Sequence, residues 1–204
     1  MILPRGNSIW ANLSLSFIVI DELMRFLKRN EFTGCMHFIF NNSQGLILVQ
    51  EGDIVNAIEE NNSAKTTGQD VVEHIITKAA ENTNGVVNVS EFSVETISIL
   101  SDVFSLPVNL LHEKLSAEFS NIIKFIDMLK KENFTGYIEL TFPKDRRTGM
   151  EIIVFEKGQI SALFTRNYQF RVNEKNENDL KHIENYLKLA QDAGVIYNVF
   201  AKSK

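Results

Sequence analysis

Phe32-Thr33-Gly34 recurs as Phe134-Thr135-Gly136, and the residues upstream of the two tripeptides align without a gap. Leu23-Met24-Arg25-Phe26-Leu27-Lys28-Arg29 lies over Phe125-Ile126-Asp127-Met128-Leu129-Lys130-Lys131. Apolar residues fall at helical spacing in both, at Ile20, Leu23, Met24 and Leu27 and at Ile122, Phe125, Ile126 and Leu129, which predicts an amphipathic helix opening each copy. The glycine that follows stands where a chain turns from helix to strand. Beyond it the apolar period becomes two, with Met36, Phe38 and Phe40 matched by Ile138, Leu140 and Phe142, so one face of each strand goes to a core.

Polar loops then separate these strands from the runs Leu46-Ile47-Leu48-Val49 and Ile152-Ile153-Val154-Phe155, apolar on both faces as central strands are. Glu51-Gly52-Asp53-Ile54 and Lys157-Gly158-Gln159-Ile160 read as tight hairpins, because the turn takes a residue that accepts positive φ. Gly34, Gly52, Gly136 and Gly158 are therefore assigned as structural turn glycines. Strands at 54–59 and 160–165 follow, then the polar loops 61–69 and 171–179, a second helix and a closing strand led by Gly85 or Gly194. The expected fold class is α+β: a tandem duplicate of an α-β-β-β-α-β module, with mostly antiparallel sheets and helices packed on one side. The expected organisation is a first module at 1–92, a connector at 93–118 and a second module at 119–204. The connector is too apolar for a flexible tether, and helices broken at Pro107 suit it better.

At Phe32-Thr33-Gly34, at Leu48-Val49-Gln50-Glu51-Gly52-Asp53-Ile54-Val55-Asn56-Ala57, and at Gly68 and Gly85 flanking the second helix, the first copy resembles the PATAN family. That family is named for the N-terminal domain of the cyanobacterial PatA response regulators. In the second copy, Gly158-Gln159-Ile160-Ser161-Ala162 brings its alanine one residue early, and no glycine precedes the second helix. The resemblance implies a bacterial cytoplasmic module of signalling and regulatory proteins that acts through protein contacts and carries no catalytic residue.

Composition sets further bounds. Residues 1–102 hold 6 Lys and Arg against 13 Asp and Glu, a balance of −7, whereas the remainder carries +2. Without clustered cations there is no footprint for a phosphate backbone, so nucleic acid is not expected as a partner. Cys35 is the only cysteine, which leaves no internal disulfide and fits a reducing compartment. The patch Leu13 to Ile20 is interrupted by Ser14 and Ser16 and followed by Asp21 and Glu22, a poor secretion signal. No stretch approaches the roughly 18 apolar residues that cross a bilayer, so cytoplasmic residence without membrane insertion is expected.

His37, His74, His112 and His182 are widely spaced with no cysteine beside them, so packing is the expected role and no metal site is. Cys35 has no local positive charge to activate its thiol and is expected to be buried and inert. No glycine-rich phosphate cradle and no nucleophile elbow occurs, and neither cofactor nor catalytic residue is expected. Lys144, Arg146 and Arg147 form the one local basic cluster, at a predicted hairpin tip, and are candidates for docking an acidic partner. The leading expectation is a non-catalytic signalling or regulatory module that binds other proteins and self-associates through sheet edges or helix faces. The alternatives are a small-molecule sensor with a pocket between sheet and helices or between the copies, and an enzyme using scattered carboxylates such as Asp53, Glu59 and Glu151.

Overall fold

The computed structural model describes residues 6–61, 65–81, 84–105, 108–143, 151–165, 169–173 and 176–203. These form two compact units, one ending at Ser105 and the other beginning after it. The first contains β1 (Asn7–Ser14), α1 (Ile20–Arg29), β2 (Gly34–Ile39), β3 (Ser43–Gln50), β4 (Asp53–Asn61), β5 (Lys65–Thr67), α2 (Gln69–Glu81), β6 (Val86–Glu91) and α3 (Val94–Ser105). The second contains β7 (Val108–Ser116), α4 (Ile122–Lys131), β8 (Gly136–Thr141), β9 (Glu151–Glu156), β10 (Gln159–Phe164), β11 (Gln169–Arg171), α5 (Glu177–Asp192) and β12 (Ile196–Lys202).

Each unit is built on a six-stranded sheet, in the order β1-β6-β2-β3-β4-β5 in the first and β7-β12-β8-β9-β10-β11 in the second. All described pairings are antiparallel. The α+β class follows from this arrangement of sheets and helices. Three expected features differ. Residues 108–116 of the supposed helical connector are a strand that pairs with β12, and 94–105 are a helix belonging to the first unit. Each unit also opens on a strand, β1 or β7, that the helical reading of the N-terminal side omits. The polar loops before the second helices hold short strands, β5 and β11.

The reason for the first difference lies in pairing. Val108 to Ser116 has no strict alternation because it is an edge strand with most side chains exposed, so burial leaves little periodic trace in it. In the first unit the two helices of the expected module share one side of the sheet, and the helix from the expected connector lies on the other. Helices α1 and α2 bury Leu27, Val72, Ile75 and Ala79 against Met36, Phe38, Ile47 and Ala57 on one face. Helix α3 packs on the other, against β2, β3 and β4, where Asn56 Nδ2 donates to the Ser101 carbonyl at 3.2 Å and to Ser105 Oγ at 2.9 Å.

The repeated Phe-Thr-Gly acts as a latch. The backbone N–H of Gly52 donates to the Phe32 carbonyl at 2.8 Å, and that of Glu51 to Thr33 Oγ1 at 2.9 Å. In the second unit Gly158 meets Phe134 at 2.7 Å and Lys157 meets Thr135 Oγ1 at 3.0 Å. Glu51 and Gly52 both have positive φ (52° and 85°), as do Lys157 and Gly158 (50° and 80°), which is the two-residue hairpin geometry that matches strand twist. Gly34 and Gly136 have a different role from the turn expected of them. Each is the first residue of a strand, and a Cβ there would collide with the carbonyl of Ser90 or Phe200 on the neighbouring strand.

Candidate functional site

Between its first strand and first helix each unit makes a short turn with both ends fixed. Leu15 donates its N–H to the Gly85 carbonyl at 2.9 Å, and Ala117 donates to Val195 at 2.8 Å. Both of these side chains are buried, as are Ile20 and Ile122 at the helix starts. In between, Phe17 N–H donates to the Ser14 carbonyl and Phe119 N–H to that of Ser116, each at 3.1 Å. With anchors on both sides, the residue at the apex cannot reach the core. Phe17 is 89% exposed and Phe119 is 90% exposed.

Lone exposed apolar residues are ordinary on protein surfaces. Two phenylalanines held almost wholly in water, on the same turn of two sheets with the same strand order, are not explained by that rule. Nor does either serve as a hydrophobic staple: the N-cap of α1 is Val19 and that of α4 is Asn121, which puts Ile18 and Ser120 at the position a staple uses. In the first unit Val19, 65% exposed, extends the apolar apex, and Asp21 and Glu22 stand in the first turn of α1. There the carboxylates also suit the positive end of the helix dipole. In the second unit Gln191 pins the turn, its amide nitrogen donating to the carbonyls of Ala117 at 2.6 Å and Ser120 at 3.2 Å while its oxygen accepts from Ile122 N–H at 2.8 Å.

Of the carboxylates named as enzyme candidates, Glu59 and Glu151 are buried and Asp53 is exposed. Glu59, 6% exposed, takes an ion pair from Lys78 Nζ at 2.9 Å and a contact from His74 Nδ1 at 2.5 Å. Lys78 also donates to Ser43 Oγ at 2.6 Å and lies 5.0 Å over the Phe40 ring. Burial by itself would raise the pKa of Glu59, but the hydrogen bonds and charges of Lys78 and His74 together outweigh it and hold the carboxyl below its ordinary value of 4.5. A carboxylate kept ionised and engaged on both oxygens is an acceptor that fixes α2 to β4, with no proton to give. Glu151, also 6% exposed, accepts from the Tyr186 hydroxyl at 2.6 Å, tying β9 to α5. Asp53 is exposed and pairs with Lys28 at 3.2 Å. The three carboxylates are thus dispersed.

The other candidate residues resolve as follows. His37 is half-buried, with Nε2 at 3.0 Å from Gln44 Oε1, and burial lowers its pKa. His112 lies edge-on to Phe125 at 5.7 Å, and His182 to Phe170 at 6.5 Å. Among the described residues no three of His, Cys, Asp and Glu gather as a metal-binding group. Cys35 is buried, and desolvation pushes its thiol up to about 12. Lys144, Arg146 and Arg147 lie outside the described residues. No helix is long and apolar enough to cross a membrane among the described residues. Phe17 and Phe119 escape a sequence search that begins at the helix, although they stand at the same offset as Phe32 and Phe134. They lie six residues upstream of Leu23 and Phe125, where the aligned stretches begin.

A family model described as an uncharacterized protein conserved in archaea (DUF2226) matches residues 1–104, half of the chain. The chain belongs to this family. The match spans the first unit to within one residue of the end of α3. It overturns the resemblance to the PATAN family and the bacterial setting implied by it, because the tripeptide, the hairpin glycine and the glycine-led strand that carried the resemblance are latch and close-packing residues. Any fold with this helix-to-hairpin junction can call for them. No curated protein and no solved structure matches the chain.

Proposed function

We propose that this member of DUF2226 is a non-catalytic protein-interaction module that contacts partners through the Phe17 and Phe119 turns. The observation that carries the reading is the near-complete exposure of both rings on turns anchored at each end. Burying an exposed aromatic ring in a partner's pocket contributes about 2 kcal/mol, and rigid aromatic side chains lose little entropy on binding, which is why they dominate contact energies. Supporting it, the buried carboxylates Glu59 and Glu151 are each engaged within the fold, where they clamp helix to sheet.

The test is quantitative affinity capture from the native archaeal cell with the full chain and with Phe17→Ser, Phe119→Ser and the double variant. Proteins retained by the wild type and released in proportion by the variants support the proposal. An identical retained set across all four chains refutes it.

A further inference from the structure

Resting on that reading, we infer that the Phe17 turn of one molecule docks on a second copy of this chain, in the open depression beside β10 and β11. The depression encloses about 780 Å³ and is lined by Ile160 and Val172 together with the cations Lys157 and Arg171. Its wall is held by the hydrogen bond from Val172 N–H to the Ser161 carbonyl at 2.9 Å.

Shape and charge point to the same pairing. The Phe17 turn offers one projecting ring, with exposed Val19 beside it and the carboxylates Asp21 and Glu22 following. Glu22 is engaged by Arg25, so Asp21 is the charge presented to a partner. The receiving side sets the half-buried Val172 among Lys157 and Arg171, with Ile160 beneath it in the core and Glu156 as the opposing acid. The same polarity runs through the chain, −7 over residues 1–102 and +2 over the rest, and attraction between unlike surfaces steers and registers such a contact.

Edge-to-edge strand pairing, the usual alternative for two antiparallel sheets, is blunted here. The edge strands β1 and β7 are bulged in their pairing with β6 and β12, which twists an edge away from a flat template, and the opposite edges β5 and β11 are only three residues long. A Phe17 contact is heterologous, joining different surfaces of the two copies, so it produces a ring or an open chain instead of a two-fold dimer. One knob and its rim bury less than the roughly 1,600 Å² of a standard stable interface, so the association is weak, grows with concentration and declines with salt.

Sedimentation velocity on the full chain tests this. The wild type is expected to sediment faster as concentration rises at low salt, and Phe17→Ser to remain monomeric. Lys157→Glu is expected to raise the dissociation constant about tenfold, as a like-charge rim contact does, and Asp21→Lys added to it to restore association. Urea unfolding of each variant shows that the fold is kept. A wild type that stays monomeric throughout, or self-association untouched by Phe17→Ser, overturns the inference. If the wild type is monomeric but Phe17 still governs capture of a different protein, self-docking falls and the interaction reading stands. If Phe17 governs neither, both fall. Phe17-dependent binding to lipid vesicles by a monomeric wild type also overturns it.

Discussion

The side-chain oxygen of Asn88 accepts a hydrogen bond from the backbone N–H of Asn12 at 2.8 Å, filling the gap that the β1 bulge opens in the sheet. Asn12 has φ 54°. In the second unit Asn198 meets the N–H of Lys114, φ 51°, at the same 2.8 Å. An asparagine on the second strand from the edge thus stands in for the carbonyl that the bulge removes. Replacing Asn88 by Ala is expected to destabilise the first unit by about 0.5 to 1 kcal/mol, the low end for a lost hydrogen bond because the site is exposed to water. Trp10, the chain's only tryptophan, packs on Phe26 at 5.7 Å. Its fluorescence during urea unfolding reads the first unit directly.

Gly34→Ala is expected to be far more costly, about 3 kcal/mol or more. The added Cβ meets the Ser90 carbonyl and the buried Phe32 ring together, and the carbonyl cannot withdraw without opening the pairing of β2 with β6. Gly136→Ala meets the Phe200 carbonyl and the Phe134 ring in the same way. Circular dichroism melts compare the two, and a loss below about 1 kcal/mol in both would contradict the close packing described.

Glu59 supplies a pH dependence with a definite sign. Its folded pKa lies below the ordinary 4.5, so the native state favours the carboxylate and the unfolded state takes up the proton first as pH falls. The stability from its ionised form is complete above pH 4.5 and is lost as the pH drops through the lower folded value. Glu59→Gln should therefore be less stable than wild type at neutral pH, with the difference narrowing in acid. Urea midpoints at several pH values give both curves, and a constant separation would count against the ion pair.

Tyr186→Phe removes the hydroxyl that donates to buried Glu151 and is expected to cost about 1.5 to 3 kcal/mol, as for a hydrogen bond to a charged acceptor. Tyr186→Phe combined with Glu151→Gln should cost less than the sum of the two single changes, because the pair is coupled. Denaturant unfolding of the four proteins closes the cycle, and strict additivity would mean that the pair is not coupled.

Phe17→Ser and Phe119→Ser are expected to leave stability within about 0.5 kcal/mol of wild type, as surface changes do, since neither ring packs on the core. A fall in melting temperature of several degrees in either would show that the ring is structural.

Much of each unit could be read from the chain. The apolar spacing of Ile20, Leu23, Met24 and Leu27 marks α1, and Ile126 and Leu129 mark α4 and are buried in it. Alternation at Met36 and Phe38 and at Ile138 and Leu140 marks β2 and β8. The edge strands were illegible for a physical reason. Trp10 and Leu110 to His112 sit in strands whose side chains are mostly exposed, and periodicity reports a strand only where one face is withdrawn from water. The site was hidden by the opposite circumstance: an exposed Phe17 breaks no pattern in the sequence, because exposure depends on where Leu15 and Ile20 are anchored.

The sequence by itself determined the hairpins, the amphipathic helices and the α+β class, since these depend on local φ preferences and on the spacing of apolar residues along the chain. Only the tertiary structure decided that Val108 to Ser116 joins β12, that Glu59 meets His74 and Lys78, and that Phe17 and Phe119 remain in water. Each of these depends on which distant segments come together, and residues 15 to 77 positions apart in sequence, as in Glu59 with His74 or Ser120 with Tyr197, carry no mark of their meeting until the sheet brings them within hydrogen-bonding distance.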